Sequence, residues 1–482
     1  MGFNNNQFRC RIQCITIENI KNVSKGVVRM KCNMGDDIFA SKSDILGIYG
    51  QNGSGKTVVI VALSLLKHLV NGDPIWEDMD ELIKVGEDYC RVEFIFSLET
   101  DSGKRYLVTY DVTIKMKEGR RISSLVDDAE RVETYVAKEV LKYKIVDDST
   151  ANRNHYIFNY EYEQVDSEVF GPAIRYKQFI SKDKRLIDDL KYHKTESYQS
   201  KLSFIFSLNR IENIQTRMGY DNELVMIINA IQCFCIESFF VITNSQNGAI
   251  SANITIPMNL CKYDDDMKRY HLCNIDLSLV GETNIPLSLY DDVTERFGII
   301  NSVINKVIPD LNIYVAKRGI RTAKDGTELV IAELMSQRGE DEIPLCSESD
   351  GIKKLIYCMY GLIQMFNNPS ATTVIDELDS GVFEYLLGEL LKVLEESGKG
   401  QLIFTSHNLR PLEVLDKKSI LFSTTNENNR YIRFKYVKNT NNLRDFYYQS
   451  ILLGGQDECV YNPTRSSAIR RAFKSVKEDL ND

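Results

Sequence analysis

Proline is scarce in this 482-residue chain, with 9 residues and no cluster, which excludes Pro-rich linkers. No apolar run reaches the roughly 18 residues that a membrane-spanning helix needs. Positive charge is not in excess either. Lys and Arg number 59 against 68 Asp and Glu, a formal charge of −9, so coating nucleic acid by charge alone is excluded while local basic patches stay open. There is no internal repeat and no low-complexity tract, and heptads are not sustained, which excludes a long coiled coil. The 11 cysteines are odd in number and lack a zinc spacing. Cys233 and Cys235 sit in an apolar stretch, and Cys261 and Cys273 flank His271 beside Asp264 to Asp266. These read as free thiols and a solvated acidic loop. The polar start, Met1 to Asn6, is not a signal peptide, and with reduced thiols it leads us to expect a cytoplasmic protein without a membrane partner.

What is present is an ordinary globular balance, 43% hydrophobic and 26% charged, enough to build cores. The length suggests two to four domains at roughly 100–200 residues each. Strand-like segments are expected at Arg11 to Ile20, Val27 to Cys32, Ser43 to Tyr49, Val92 to Leu98 and Tyr106 to Lys115, with a helix at Thr57 to Val70. The middle carries a helical stretch, Glu223 to Phe234, and β-like pieces at Phe239 to Thr243 and Ala249 to Ile256. Strands at Asn312 to Val315 and Glu328 to Ala332 precede a helix at Ile352 to Phe366, a strand at Thr372 to Ile375, a helix at Val382 to Glu396 and a strand at Gln401 to Thr405. This alternation predicts an α/β fold with parallel strands covered on both faces. The expected divisions are an N-terminal lobe (1–117), a mixed, partly helical insertion (118–309), a C-terminal lobe (310–425) and a tail (426–482) to which no chemistry is assigned.

Gly50-Gln51-Asn52-Gly53-Ser54-Gly55-Lys56-Thr57 fits G-x-x-x-x-G-K-[ST], with an apolar strand before it and a helix former after it. Glycines let backbone N–H groups approach phosphate oxygens, and the helix N-terminus adds its positive end. Lys56 supplies a point charge, and the Thr57 hydroxyl can ligate Mg²⁺. The alternative is a chance glycine turn. Thr372 to Ile375 ends in Asp376-Glu377, which suit a metal-anchoring acid and a general base for water. The alternative is a strand end with surface acids. His407 ends the next strand and could reach a γ-phosphate or the attacking water. The remaining histidines, His68, His155, His193 and His271, are read as structural or surface groups. Ser349-Asp350-Gly351 opens a helix, either as an anion cradle for a second subunit's nucleotide or as a plain cap. Leu452-Leu453-Gly454-Gly455-Gln456 lacks a serine and follows Asp376, so it is read as a turn.

Taken in order, these elements resemble the ABC-type ATPase head of the SMC and double-strand-break-repair class, over about residues 10–100 and 310–410. The likeness extends to compact ATPases of the overcoming-lysogeny type and related phage-defence systems. The resemblance implies a P-loop NTPase fold using ATP and Mg²⁺. It gives Gly50, Asn52, Gly53, Ser54, Gly55, Lys56 and Thr57 to the nucleotide, Thr57 and Asp376 to the metal, Glu377 and His407 to catalysis, Ser349 and Gly351 to a signature acting in trans, and Asp379 to a D-loop. It implies a homodimer, or an oligomer of dimers, around nucleotide. A Q-loop glutamine is not assigned. The stretch after His407 has no D-x-D pair of the kind a Toprim nuclease carries, so the expected role is an ATPase gating a separate effector, a nuclease or toxin, in anti-phage defence. The alternative is a DNA-repair or recombination ATPase that binds DNA.

Overall fold

The computed structural model describes residues 8–32, 37–123, 130–146, 153–164, 168–264, 269–435, 437 and 442–479. The chain begins with β1 (Phe8–Ile20), β2 (Val23–Arg29) and β3 (Asp44–Tyr49), which leads into α1 (Lys56–Asn71). Four long strands follow: β4 (Tyr89–Thr100), β5 (Arg105–Ser123), β6 (Glu130–Ile145) and β7 (His155–Glu161). Next come α2 (Ala173–Phe179), α3 (Leu186–Gln199), α4 (Ile214–Arg217) and α5 (Asn222–Cys233), then β8 (Phe239–Ile242) and α6 (Asn244–Ser251). A third stretch comprises β9 (Thr255–Asp264), β10 (Arg269–Ser278), β11 (Thr283–Pro286), α7 (Leu287–Val307), β12 (Leu311–Thr322), β13 (Glu328–Arg338) and β14 (Asp341–Pro344). The last comprises α8 (Asp350–Asn367), β15 (Thr372–Ile375), α9 (Glu384–Ser397), β16 (Gln401–Thr405), α10 (Pro411–Val414), β17 (Ile420–Ser423), β18 (Tyr431–Ile432), α11 (Leu443–Leu453) and α12 (Ser466–Asp479).

β3, β15 and β16 are buried at every position, the mark of strands covered on both faces. They lie in one sheet of order β18-β17-β3-β16-β15-β8, parallel except for β18. A second sheet, β2-β1-β4-β5-β6-β7, is antiparallel throughout. β4 alternates buried and half-buried residues over most of its length, so one face packs inward. Between the two sheets runs α1, whose Val58, Val59, Leu63, Leu66 and Val70 are buried on several sides, as expected of a core helix. On the other face of the parallel sheet, α8 and α9 close a second core with Leu362, Leu387 and Leu391. A third core joins α7 and α8 to the small sheet β11-β13-β12 and to the β9–β10 hairpin.

The expected lobe boundary at residue 117 falls inside β5, and β6 and β7 extend the same antiparallel sheet. Segment 118–309 also supplies β8, which pairs in parallel with β15 from Thr372↔Phe239 to Ile375↔Ile242. The β piece expected at Ala249 to Ile256 is instead the end of α6 followed by the start of β9. The cause is a capping box: Thr243 and Gln246 exchange side-chain and backbone hydrogen bonds and start a helix there. The tail holds β18, which joins the parallel sheet, α11, whose Tyr447 stacks on Phe422, and α12. The side chains of residues 261–272, which include Cys261 and His271, and residues 265–266 of the acidic loop, lie outside the described residues. Among the described residues, no helix is long and apolar enough to cross a membrane.

Candidate functional site: a phosphate-binding loop facing two strand-end acids

The site forms at the C-terminal ends of the parallel strands, where open α/β sheets place ligands. The turn from β3 to α1 is the Gly50–Thr57 loop. Gly55 has φ +90, a left-handed conformation that a side chain resists, and it is the N-cap of α1. Ser54 Oγ donates to Gln51 O at 2.7 Å. Lys56 is buried, and its Nζ donates to Gly50 O at 2.9 Å and Gln51 O at 3.1 Å. Burial pushes the Lys56 pKa down, opposed by the charges of Asp376, Glu377 and Asp379. Those acids therefore share the electrostatic environment of the loop.

Asp376 ends β15, two strands away from β3. Its backbone N–H donates to Ile242 O at 2.9 Å. Thr405 Oγ1, at the end of β16, donates to Asp376 Oδ1 at 2.6 Å, whereas Oδ2 is buried with no hydrogen-bond partner among the described residues. Burial raises the Asp376 pKa; Thr405 opposes this, Glu377 adds to it, and the Thr57 hydroxyl favours the charged form. A buried, unpartnered carboxylate oxygen beside a threonine hydroxyl fits a hard divalent cation such as Mg²⁺. Among the described residues no cluster of three His, Cys, Asp or Glu side chains forms, so a cation here would rely on the hydroxyl, one acid, waters and phosphate oxygens.

Glu377 is half-buried at φ +50, a left-handed conformation unusual outside glycine and often found at functional positions. Its N–H donates to Thr405 Oγ1 at 2.7 Å, and its carbonyl accepts from Lys354 Nζ on α8. Asp379 Oδ2 accepts from the backbone N–H groups of His407 (3.1 Å) and Asn408 (2.9 Å), while Oδ1 is buried without a partner among the described residues. His407 itself is exposed. Ser349 is exposed at the N-cap of α8 and makes no side-chain cap bond. Gly351 is obligatory on steric grounds, because a Cβ there would meet Gly381 O at 1.8 Å. The Ser349 turn and the Asp379 turn thus pack against each other within one chain.

Three contributors were missed in the sequence. The start of α6, just after β8, lies beside Asp376, where Asn247 Nδ2 donates to Asp376 O at 3.1 Å, with Gln246 one residue earlier. In the tail, Tyr431 Oη donates to Gly55 O at 2.7 Å, and Asn462 N–H donates to Gln51 Oε1 at 2.8 Å. Asn22, in the β1–β2 turn, donates to Gly53 O, and its own carbonyl accepts from the buried Arg430. The tail, to which no chemistry was assigned, therefore braces the loop. By contrast, Leu452 and Leu453 are exposed at the end of α11. The basic run near Lys182 is partly neutralised, since Asp183 pairs with both Arg185 and Arg217.

Fold and loop together define an α/β P-loop NTPase. Residues 283–414 match the family described as AAA domain, putative AbiEii toxin, Type IV TA system; this segment holds Ser349, Asp376 and His407 but not the loop. No curated protein matches the chain. Among solved structures, it is similar to an Smc head bound to the C-winged helix domain of ScpA, with 12% identity, 88% of this chain and 98% of that chain covered, and a TM-score of 0.38. It is also similar to the SMC head domain from Thermotoga maritima, with 14% identity, 88% and 99% covered, and a TM-score of 0.35. A third is the recombination mediator protein RecF bound to ATP, with 12% identity, 83% and 94% covered, and a TM-score of 0.32.

Proposed function

We propose that the chain binds and hydrolyses ATP, with two copies closing around nucleotide. The observation that carries this reading is the pairing of the Gly50–Thr57 loop with Asp376, whose free oxygen is buried beside the Thr57 hydroxyl. Backbone N–H groups of Gly53, Ser54, Gly55, Lys56 and Thr57, with Asn52 shaping the turn, receive the phosphates. Lys56 exchanges its two loop carbonyls for the β- and γ-phosphate oxygens. Thr57 and Asp376 hold Mg²⁺, which when bound offsets phosphate charge. Glu377 takes a proton from the attacking water, and His407 orients it. Asp379 fixes the His407 turn through the two backbone hydrogen bonds described above. Ser349 and Gly351 face the partner copy's phosphates and exclude bulk solvent there.

At the level of the cell, this ATPase acts in anti-phage or toxin–antitoxin defence and gates a separate effector, a nuclease or toxin. The matching family's description as a putative toxin of a Type IV system supports a defence setting. Growth arrest by this chain expressed alone would overturn the separate effector. A second reading, a DNA-handling ATPase, draws on exposed basic residues of the last segment, Arg465, Arg470, Arg471 and Lys474. DNA-stimulated turnover that falls steeply with salt would select it.

The core test is phosphate release from Mg²⁺–ATP by the purified chain, together with sedimentation of Glu377→Gln. The variant should keep ATP affinity, lose turnover by about 10²–10⁴-fold and accumulate as a nucleotide-bound dimer. Neither affinity nor phosphate release from the wild type, in any oligomeric form, would overturn the reading.

A further inference from the structure

A second cavity, of about 70 Å³ and half open to solvent, lies between α1, β8, β9, α7 and α8. Its floor and walls are largely apolar, with Phe240, Met258, Phe297 and Ile300 among them. Two cations interrupt this surface, and among the described residues no acid lines it. Lys67 Nζ donates to Phe239 O at 2.8 Å, and no carboxylate pairs with it among the described residues. Burial pushes its pKa down to about 8. Arg296 lies with its guanidinium 3.5 Å from the Tyr360 ring centre and donates to Asn259 O at 3.1 Å. Lys67 is half-buried, and Asp73 opposes the effect of its burial without forming an ion pair with it among the described residues, so a ligand anion in the cavity would offset the remaining cost.

We infer that this cavity binds a small monocarboxylate with an aliphatic or aromatic body. The Lys67 ammonium, bonded to a carbonyl and not to a carboxylate among the described residues, suits one negative charge, because Arg296 is already held by a ring face and a carbonyl. The apolar walls suit a small hydrocarbon body. The site is separate from the phosphate-binding loop but shares two elements with the acids there. Ile356 and Tyr360 line the cavity from α8, the helix that also carries Gly351 and Lys354. Ile242 lines it from β8 and accepts from the Asp376 N–H. An occupant therefore bears on both supports of the Asp376–Glu377 turn. That consequence for turnover rests on the ATPase reading, whereas binding itself does not.

The test is calorimetric titration of the full-length chain, without nucleotide, with octanoate and with 1-octanol below their aggregation limits. Octanoate should bind at least tenfold more tightly than 1-octanol. Lys67→Met should erase that preference while retaining 1-octanol binding, and Ile300→Trp, which fills the cavity, should abolish binding of both. Equal affinity for the two probes in the wild type, no binding of octanoate, or unchanged octanoate affinity in both variants would overturn the site. Octanoate binding that leaves ATP turnover unchanged would retain the site and overturn its coupling to Glu377. An inactive ATPase that still discriminates octanoate from 1-octanol would count against the proposed function alone.

Discussion

At the N-terminal end of the parallel sheet, Gln401 accepts from Ile12 N–H at 2.8 Å and from Thr372 Oγ1 at 3.0 Å, and donates to Ile12 O at 2.7 Å and Asp44 Oδ2 at 3.1 Å. Arg11, also buried, donates to Ala40 O at 2.6 Å and Lys42 O at 2.9 Å beside Asp44. At the C-terminal end, Asp376 and Asp379 each keep a buried oxygen without a partner among the described residues. Both ends bury charge, but the Asp44 carboxylate is met by Gln401 and Arg11, whereas each of the two C-terminal carboxylates leaves an oxygen open; at the N-terminal end an atom without a partner among the described residues is the cationic Arg11 Nε. The N-terminal network ties the two large sheets together. The C-terminal acids are arranged for something that arrives from outside, because an unsatisfied buried carboxylate persists only where the surrounding fold maintains it.

Substitutions at the two ends should separate binding from stability. Lys56→Ala should have the largest effect, reducing ATP affinity by about 10²-fold or more in a filter-binding or calorimetric assay while the melting curve stays near wild type. Gln401→Leu should do the reverse. It strands the Asp44 carboxylate and the Ile12 backbone groups, costing roughly 3 kcal/mol in chemical denaturation, with ATP affinity of the folded fraction unchanged. A Gln401→Leu chain that lost ATP affinity while remaining folded would erase the contrast.

Asp376→Asn should give the smallest change in stability, and the sign follows from burial. The folded-state pKa of Asp376 lies above its ordinary value, so this group adds stability at low pH that is lost as pH rises through the raised value. Nucleotide-free Asp376→Asn should therefore be slightly more stable than wild type near neutral pH, within about 1 kcal/mol, and should lack that part of the pH slope. It should also lose the Mg²⁺ dependence of ATP binding. A thermal melt series from pH 4 to 8 measures the first effect, and titration with and without Mg²⁺ the second.

Much of the C-terminal end was legible because its signals are local. The loop at Gly50–Thr57, the buried strand Thr372–Ile375 and the strand Gln401–Thr405 each declare themselves within a few residues, and the two strands form with the bounds their patterns predict. β8 was harder. Four apolar residues could belong to any layer, and only pairing with β15 makes them an edge of the parallel sheet. The Thr243–Gln246 capping box was a readable signal that the β-like pattern after it obscured. Asn22, Arg430 and Tyr431 act through backbone carbonyls of distant segments, and no periodicity or spacing reports such contacts. The Ser349 turn gave an ambiguous signal because a cap and an anion cradle use the same residues.

The Tyr431 hydroxyl reaches Gly55 across a sequence separation of 376 residues. During synthesis the loop emerges early and its brace very late. A nascent or prematurely terminated chain carries the glycines and Lys56 without the contact that steadies them. The braced form of the loop therefore cannot assemble until Tyr431, 376 residues after Gly55, has been made and can reach back to it.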